Sequence, residues 1–340
     1  MEPSFNFILP DPRDFPSGGN IYNQHFLLAL RQLRPQTKLL AWKDFAENDY
    51  LPTTTYIFDT LYLSELTHFS TRESNGASFL LVHHLKSLYP PEGLSSKTVY
   101  DLEEKTVLNW MDGFITTSEY TTNYLIQNGL TQEIITIPPP LTFRNTFSVA
   151  ARPSTPINAL LVANWVKRKG ILPFLKIIAL HAESFKQHYI KIHLVGGHHL
   201  EPTYAEQCQN VIEDANLDGL VIVHGAVPPS RMPHFYQQSN LFISTSAMET
   251  YGMALQEAKA FGLPILAIKG GNVENHVKNE ENGFLVPKIH QLVEQLLQLS
   301  NNPEMVRMLL ENCQRLLQND SYSWEKAARK FLDFIEKMKE

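Results

Sequence analysis

Cysteine is scarce: Cys208 and Cys313 are the only two in 340 residues. Two thiols exclude a disulfide framework and a four-thiolate zinc site, and two buried thiols in a reducing cytoplasm are expected instead. Long apolar runs are missing as well, and no stretch approaches the roughly 18 residues that a membrane-spanning helix needs. Met1 is followed by Glu2, Pro3 and Ser4 rather than by a basic start and an apolar run, so no signal peptide is expected. There is no large excess of positive charge: 29 Lys and Arg stand against 35 Asp and Glu, a net of −6. That balance argues against nucleic-acid binding. Neither G-x-G-x-x-G nor G-x-x-x-x-G-K-[ST] occurs, so a dinucleotide-dependent dehydrogenase or a P-loop ATPase would lack its phosphate cradle. His198 and His199 follow His193 across a strand end, but no carboxylate joins them at a familiar metal-ligand spacing, and loop histidines are expected there.

Apolar residues make up 43% of the chain and charged residues 19%, which suits a globular protein of about two domains at this length. The charge is unevenly divided. Residues 1–150 carry 10 Lys and Arg against 16 Asp and Glu, whereas residues 151–340 carry 19 of each. The whole negative excess therefore lies in the first half, and a phosphate-bearing ligand is more naturally held by the second. Short apolar strands are expected at 5–9, 55–58, 79–82, 113–117 and 134–137, alternating with helical or polar sequence; helices are expected at 20–33 and from Ser118 to a stop at Asn128-Gly129. The stretch 141–156 is rich in Ser, Thr, Pro and Arg and reads as a linker. Alternation then restarts, with strands at 159–163, 191–195, 220–223, 241–244 and 264–267 and helices at 171–183, 204–215, 233–238 and 253–261. Two rounds of alternation imply two α/β domains with parallel sheets. Trp324, Ala327, Ala328, Phe331, Ile335 and Met338 recur at helical spacing, so the tail is an amphipathic helix that must dock on a partner surface.

The segment 244–266, STSAMETYGMALQEAKAFGLPIL, is the most informative. A strand ends near Ser244, a loop carries Glu249, Thr250, Tyr251 and Gly252, and a helix starts near Met253. The backbone N–H groups of Tyr251, Gly252 and Met253 would face outward there as an anion or hydroxyl site. Glu257 follows Glu249 by eight residues, and two carboxylates so placed can grip sugar hydroxyls. The bare pair is a weak signal, because two Glu at that spacing arise by chance; the full order of strand, Glu-x-x-Gly loop, helix with Glu and Phe-Gly-Leu-Pro is far more specific.

This segment resembles the donor-site motif of family 4 (group 1) glycosyltransferases. The resemblance is good over 155–290 and thin over the first 150 residues. It implies the GT-B fold, two Rossmann-like α/β domains facing across a cleft: 1–148 on the acceptor side, with a C-terminal helix in 321–340 packing back on it, and 155–320 binding the nucleotide-sugar. By that resemblance Gly18-Gly19 form the N-terminal glycine loop facing donor phosphates, and His83 or His84 lies near the reacting sugar carbon. Lys169-Gly170 is the phosphate clamp, with Asn164 standing where the family carries arginine. Asn has no guanidinium fork, so Lys167 or Arg168 substitutes, or Lys169 and a helix start serve alone. Val227, in Gly225-Ala226-Val227, lies where relatives hold the base, and Gly270-Gly271 through Val277 with Asn282-Gly283-Phe284-Leu285-Val286 resembles the family's closing segment. Glu257 would hold the ribose, and Glu249 the donor sugar.

The activity so implied is transfer of a hexose from a nucleotide-sugar to a hydroxyl with retention. The donor is a UDP-sugar ahead of a GDP-sugar, and the acceptor a glycan, a lipid-linked or a small-molecule hydroxyl. No metal and no further cofactor is implied. The protein is expected in the cytoplasm or peripherally at the inner membrane face, with at most weak membrane association. A nucleotide-sugar epimerase of similar fold and a catalytically silent transferase-like subunit stay open; turnover of donor without an acceptor, or no turnover, tells them apart.

Overall fold

The computed structural model describes residues 4–11, 17–46, 51, 54–69, 76–89, 102–141, 153–317 and 322–338. The chain forms two compact units, Met1–Pro140 with Ser321–Glu340, and Leu141–Asp320. Most of the expected linker, 142–152, lies outside the described residues.

The first unit runs β1 (Ser4–Ile8), α1 (Gly18–Leu33), β2 (Lys38–Leu40), α2 (Trp42–Ala46), β3 (Thr54–Asp59), α3 (Leu63–Phe69), β4 (Ser78–Val82), α4 (Leu102–Trp110), β5 (Gly113–Thr116), α5 (Glu119–Gln127) and β6 (Glu133–Thr136). Its strands are all parallel, in the order β2-β1-β3-β4-β5-β6. β3 and β4 are buried along their whole length, because helices cover both faces of such a sheet. The second unit runs β7 (Asn158–Val162), α6 (Ile171–Leu180), α7 (Ala182–Gln187), β8 (Lys191–Val195), α8 (Pro202–Asp214), β9 (Val221–Gly225), α9 (Met232–Gln238), β10 (Leu241–Ser244), α10 (Met253–Ala260), β11 (Ile265–Ile268), β12 (Gly283–Val286), α11 (Ile289–Ser300) and α12 (Pro303–Arg315). Its parallel order is β12-β11-β10-β7-β8-β9. Numbered from its own first strand this is the doubly wound 3-2-1-4-5-6 arrangement. In both sheets the strand order reverses once, between β1 and β3 and between β7 and β10, and open α/β sheets bind ligands outside the carboxyl ends of the strands at such a point.

The tail helix α13 (Trp324–Lys337) belongs to the first unit. Ser323 caps it by accepting the Lys326 N–H at 3.2 Å, and Arg329 pairs with Glu325 one turn away at 2.8 Å. Ala327, Ala328, Phe331, Leu332 and Ile335 are buried with Phe5, Tyr22, Phe26 and Leu30 of β1 and α1. The Phe331 ring lies 5.7 Å from both Phe5 and Phe26. Each such aromatic contributes roughly 1.5–3 kcal/mol of apolar burial.

Two local expectations are corrected. Gly18 and Gly19 are not a loop ahead of a helix at 20: the helix starts at Gly18, because the Ser17 side chain accepts the Asn20 N–H at 3.1 Å and caps it there. The single helix expected at 171–183 is two, divided at His181. Strand β2, of three residues, is too short to show a period in the sequence. Both cysteines are free and buried, and burial pushes the Cys208 thiol up to about 12.

Candidate functional site

In the second unit the loop after β7 and the loop after β10 meet at the point where the strand order reverses. The first carries the turn Lys167–Lys169 and then Gly170, which has φ +67° and opens α6. Only glycine fits there: a Cβ would run into the Thr245 carbonyl oxygen. The Thr245 hydroxyl in turn donates to the Lys169 carbonyl at 2.5 Å. The two loops are thus fastened backbone to side chain, and Lys169 Nζ reaches Glu249 Oε1 at 2.5 Å. Both side chains are mostly buried, 17% and 16% exposed. Burial alone would raise the Glu249 pKa. The Lys169 charge and hydrogen bond, a hydrogen bond from Ser246 and the Arg168 charge outweigh it and hold the carboxyl below its ordinary range.

Glu249 is also fixed through its main chain. Its carbonyl accepts the Asn272 N–H at 2.7 Å, and it bridges to Gly271 in parallel fashion. Gly271 has φ +62°, and a side chain there would strike Met248 and the Glu249 carbonyl. Two side chains then hold the Tyr251 carbonyl: Asn272 Nδ2 at 2.7 Å and His276 Nε2 at 2.6 Å. In a trans peptide the next N–H points opposite to the carbonyl, so the Gly252 amide is turned away from Asn272 and His276. Gly252, at φ +87°, then starts α10. His276 is 7% exposed, and its Nδ1 is buried with no hydrogen-bond partner among the described residues. Burial pushes its pKa down to about 4, so the ring is neutral and its Nε2–H is the donor to Tyr251.

Glu257 lies one turn into α10 and accepts a 2.6 Å hydrogen bond from the Tyr236 hydroxyl of α9. Burial raises its pKa to about 7, against the lowering effect of that hydrogen bond. Asn164 does something other than replace a guanidinium: its Oδ1 accepts the Gly197 N–H at 3.0 Å, and Trp165 N–H donates to the Gly197 carbonyl at 2.8 Å. This ties the exits of β7 and β8 together. Val227 lies just past the end of β9 and is half-buried. His193 and His224 stack on neighbouring strands with a 2.9 Å contact, while His198 and His199 are exposed. Among the described residues no group of three or more His, Cys, Asp or Glu could hold a metal ion.

In the first unit the reversal point gathers a second set of residues. The His83 ring, at the end of β4, packs against the start of α1, where a Cβ on Gly19 would come within 3.3 Å of it. Its Nε2 contacts Asn23 Oδ1 at 2.7 Å, and Asn23 Nδ2 donates to Asp59 Oδ2 at 2.6 Å. The backbone N–H groups of His83 and His84 both donate to the Thr60 hydroxyl, at 3.2 and 3.3 Å. The His84 ring instead packs on Tyr89, with centroids 4.7 Å apart. Of the two histidines it is His83 that the helix start and the buried amide hold.

The structure therefore brings Lys169, Glu249, Thr250, Tyr251, Gly252, Met253 and Glu257 together in one unit, and Gly18, Gly19 and His83 in the other. Asn23, Asp59, Tyr236, Asn272 and His276 were not among the residues singled out from the sequence. Asn23 had a signal: it is a polar residue inside the buried face that Tyr22, Phe26 and Leu27 form.

Residues 143–316 match a family model described as Glycosyl transferases group 1. Over 183 residues, 53% of this chain, the sequence is 25% identical to the alpha-monoglucosyldiacylglycerol synthase of Acholeplasma laidlawii. Over 248 residues it is 26% identical to an uncharacterized glycosyltransferase of Haemophilus influenzae, covering 72% of this chain and 67% of that one. A probable sucrose-phosphate synthase of Thermosipho melanesiensis is 31% identical over 97 residues, 28% of this chain. The match spans 44% of the Acholeplasma synthase and 22% of the Thermosipho one, less than half the length of either. Among solved structures, a sucrose-phosphate synthase from Thermosynechococcus elongatus superimposes with a TM-score of 0.77 at 19% identity, over 99% of both chains. HepE of Anabaena, in complex with UDP and glucose, does so with 0.71 at 14% identity, over 99% of this chain and 100% of that one. The two parallel six-stranded sheets with flanking helices are those of the GT-B fold.

Proposed function

The chain belongs to the group 1 glycosyl transferases, and from that premise we propose that it moves a hexose from a nucleotide-sugar to an acceptor hydroxyl with retention at the anomeric carbon. The donor is a UDP-sugar in preference to a GDP-sugar, UDP-glucose first. The acceptor is a glycan, lipid-linked or small-molecule hydroxyl, in polysaccharide or glycoconjugate synthesis. The observation that carries this reading is the buried Lys169–Glu249 pair, with the start of α10 held by Asn272 and His276 through the Tyr251 carbonyl, at the strand reversal of the second sheet. UDP bound to fold neighbours supports the choice of donor.

Charge develops on the leaving diphosphate as the glycosidic bond breaks, and fixed donors that need no reorganisation stabilise it best. Lys169 supplies the cation, and the start of α10 supplies amides and the positive end of its dipole. Lys169 is shared between that task and Glu249, so a diphosphate competes with the carboxylate for it. Once ionised, Glu257 can accept both hydroxyls of a ribose on its remaining lone pairs. The chemistry needs no metal, since the diphosphate charge is met by protein groups. The acidic first half, net −6, disfavours docking on an anionic leaflet. At most weak membrane association is the reading that this balance supports.

The test is a thermal-shift panel of UDP- and GDP-sugars, followed by product analysis. A ligand at about 100 times its Kd adds roughly 2.7 kcal/mol. Stabilisation by a UDP-sugar and an axial product from an axial donor are expected. No shift with any nucleotide-sugar sinks the proposal, and turnover of donor without an acceptor turns it toward an epimerase.

A further inference from the structure

The first unit buries an acid, an amide and a histidine in series. Asp59 is fully buried and Asn23 is 1% exposed. Neither has a place in the core on hydrophobic grounds, and burying such groups is costly unless every bond is made. Here they are made in one direction only. Asp59 Oδ1 accepts the Leu61 N–H at 2.8 Å, and its Oδ2 accepts from Asn23 at 2.6 Å. Asn23 donates that bond through Nδ2, so the amide group facing the acid is the NH2. The amide oxygen is thereby turned to His83 Nε2, at 2.7 Å, and Nε2 must carry the proton.

Two further facts bear on the ring. Burial lowers the His83 pKa and the Asp59 charge, 3.8 Å away, only partly offsets it, so the imidazole is neutral at pH 7. Nδ1 makes no hydrogen bond among the described residues, although the side chain keeps 11% of its surface exposed. A neutral imidazole with its proton on Nε2 presents a bare lone pair at Nδ1.

We propose that Asp59 and Asn23 are positioning residues that lock His83 in the Nε2–H tautomer, so that its Nδ1 accepts a hydrogen bond from a substrate hydroxyl. The substrate half of this statement rests on the transferase reading. The tautomer half rests on the geometry alone. The arrangement sits where the strand order reverses between β1 and β3: Asn23 comes from the helix after β1, Asp59 ends β3 and His83 follows β4. A carboxylate bonded directly to the ring would favour its charged form, whereas one acting through an amide orients the ring with less of that effect. That suits a group whose task is to accept, not to donate.

The experiment is a long-range proton–nitrogen correlation spectrum of the full chain with 15N-labelled histidine at pH 7.5, with the His83 signals identified by their loss in His83→Gln. The expected result is a protonated Nε2 and a bare Nδ1. An Nδ1–H tautomer or an imidazolium in the unaltered chain overturns the proposal. Asp59→Asn is nearly isosteric and removes the constraint on the Asn23 amide, which can then flip, and a mixed tautomer is expected. An unchanged spectrum in Asp59→Asn overturns the role of the pair. Adding UDP-glucose should move the Nδ1 signal while UDP alone leaves it in place. In steady-state kinetics Asp59→Asn should lower kcat about tenfold or more with the donor KM within about twofold, the split that marks a group engaged at the transition state. An Nδ1 signal indifferent to a sugar nucleotide that binds overturns the substrate half. Calorimetry showing that no nucleotide-sugar binds overturns the transferase reading instead, and the tautomer measured in the free protein is unaffected by it.

Discussion

The two units share one architecture and equip it in opposite ways. At the reversal of the second sheet the loops are shaped largely by backbone: Gly170, Gly252 and Gly271 all have positive φ, and the side chains around them hold the loops in place. At the reversal of the first sheet one imidazole is held by a buried amide, and that amide by a buried acid. The difference follows from what each can recognise. Amides and a lysine suit an anion of fixed geometry, which a nucleoside diphosphate supplies whatever sugar it bears. A single oriented acceptor suits one hydroxyl, so it can discriminate among sugars. The charge division agrees with this, since the negative excess lies in the first half and the second is neutral.

The largest effect that would break the comparison is expected at Gly271. Gly271→Ala forces a side chain against the Glu249 carbonyl at a φ of +62°, which costs about 2 kcal/mol or more if the loop holds. If the loop moves instead, Glu249 moves with it. Either a lower Tm or a loss of UDP affinity of more than tenfold is expected, and a variant normal in both would mean that the backbone is not the recognising surface. Next comes Glu249→Gln, which leaves Lys169 without its counter-charge. About 1–2 kcal/mol of stability is at stake, reduced from the fully buried value because the pair keeps some solvent contact. The pH dependence gives the sign. The Glu249 pKa is depressed in the folded state, so its contribution is complete above the ordinary carboxylate pKa of about 4.3 and is lost as pH falls through the lower folded value. The wild type should lose more stability than Glu249→Gln below about pH 4, measured as Tm against pH.

How far these features could be read from the sequence differs between the units for a physical reason. Backbone recognition leaves a local trace: Glu249, Gly252 and Glu257 lie within nine residues, and the strand and helix around them follow from apolar period. Asn272 and His276 fall in the stretch Gly270 to Val277 that the family resemblance marks, but their task is invisible until the fold joins them to Tyr251. In the first unit the chain Asp59–Asn23–His83 spans 60 residues between its histidine and amide, and no local pattern links them. The two histidines 83 and 84 were indistinguishable as sequence, because only the packing of Gly19 and the reach of Asn23 separates them. The missing family arginine looked like a gap in the phosphate clamp; the structure gives Asn164 the separate task of holding the Gly197 amide. β2 and α2, of three and five residues, are too short to show a period in the sequence.

Two smaller effects would sharpen the contrast. Glu257 has its pKa raised to about 7. A raised carboxylate stabilises the fold most below the unfolded value of about 4.3, and that contribution is lost as pH rises through the folded value near 7. Donor binding should run the other way, because only the ionised group accepts from two ribose hydroxyls. UDP affinity should therefore rise with pH through about 7. Tyr236→Phe removes the hydrogen bond that lowers this pKa, so the midpoint should move to higher pH. Calorimetric titration between pH 6 and 8.5 checks it, and a flat profile in the wild type removes Glu257 from the ribose.

The smallest effect is expected at His84, and it bears most directly on how the first unit works. His84 has the same residue type, the next position and the same Thr60 hydroxyl on its backbone N–H. If recognition there depended on backbone and loop shape, as in the second unit, His83→Ala and His84→Ala would cost about the same, because each removes one ring from one turn. If it depends on one oriented imidazole, the two must differ. The His84 ring packs on Tyr89, whereas the His83 ring is held by Asn23 and by the start of α1. His84→Ala should lower kcat/KM by about threefold or less, and His83→Ala by about a hundredfold, a gap of roughly 2 kcal/mol. His83→Gln and His83→Asn separate size from chemistry: a side chain that restores an acceptor without the ring should recover part of the loss, and Leu should recover none. Equal losses at the two positions would mean that the first unit, like the second, recognises its ligand through the shape of its strand ends.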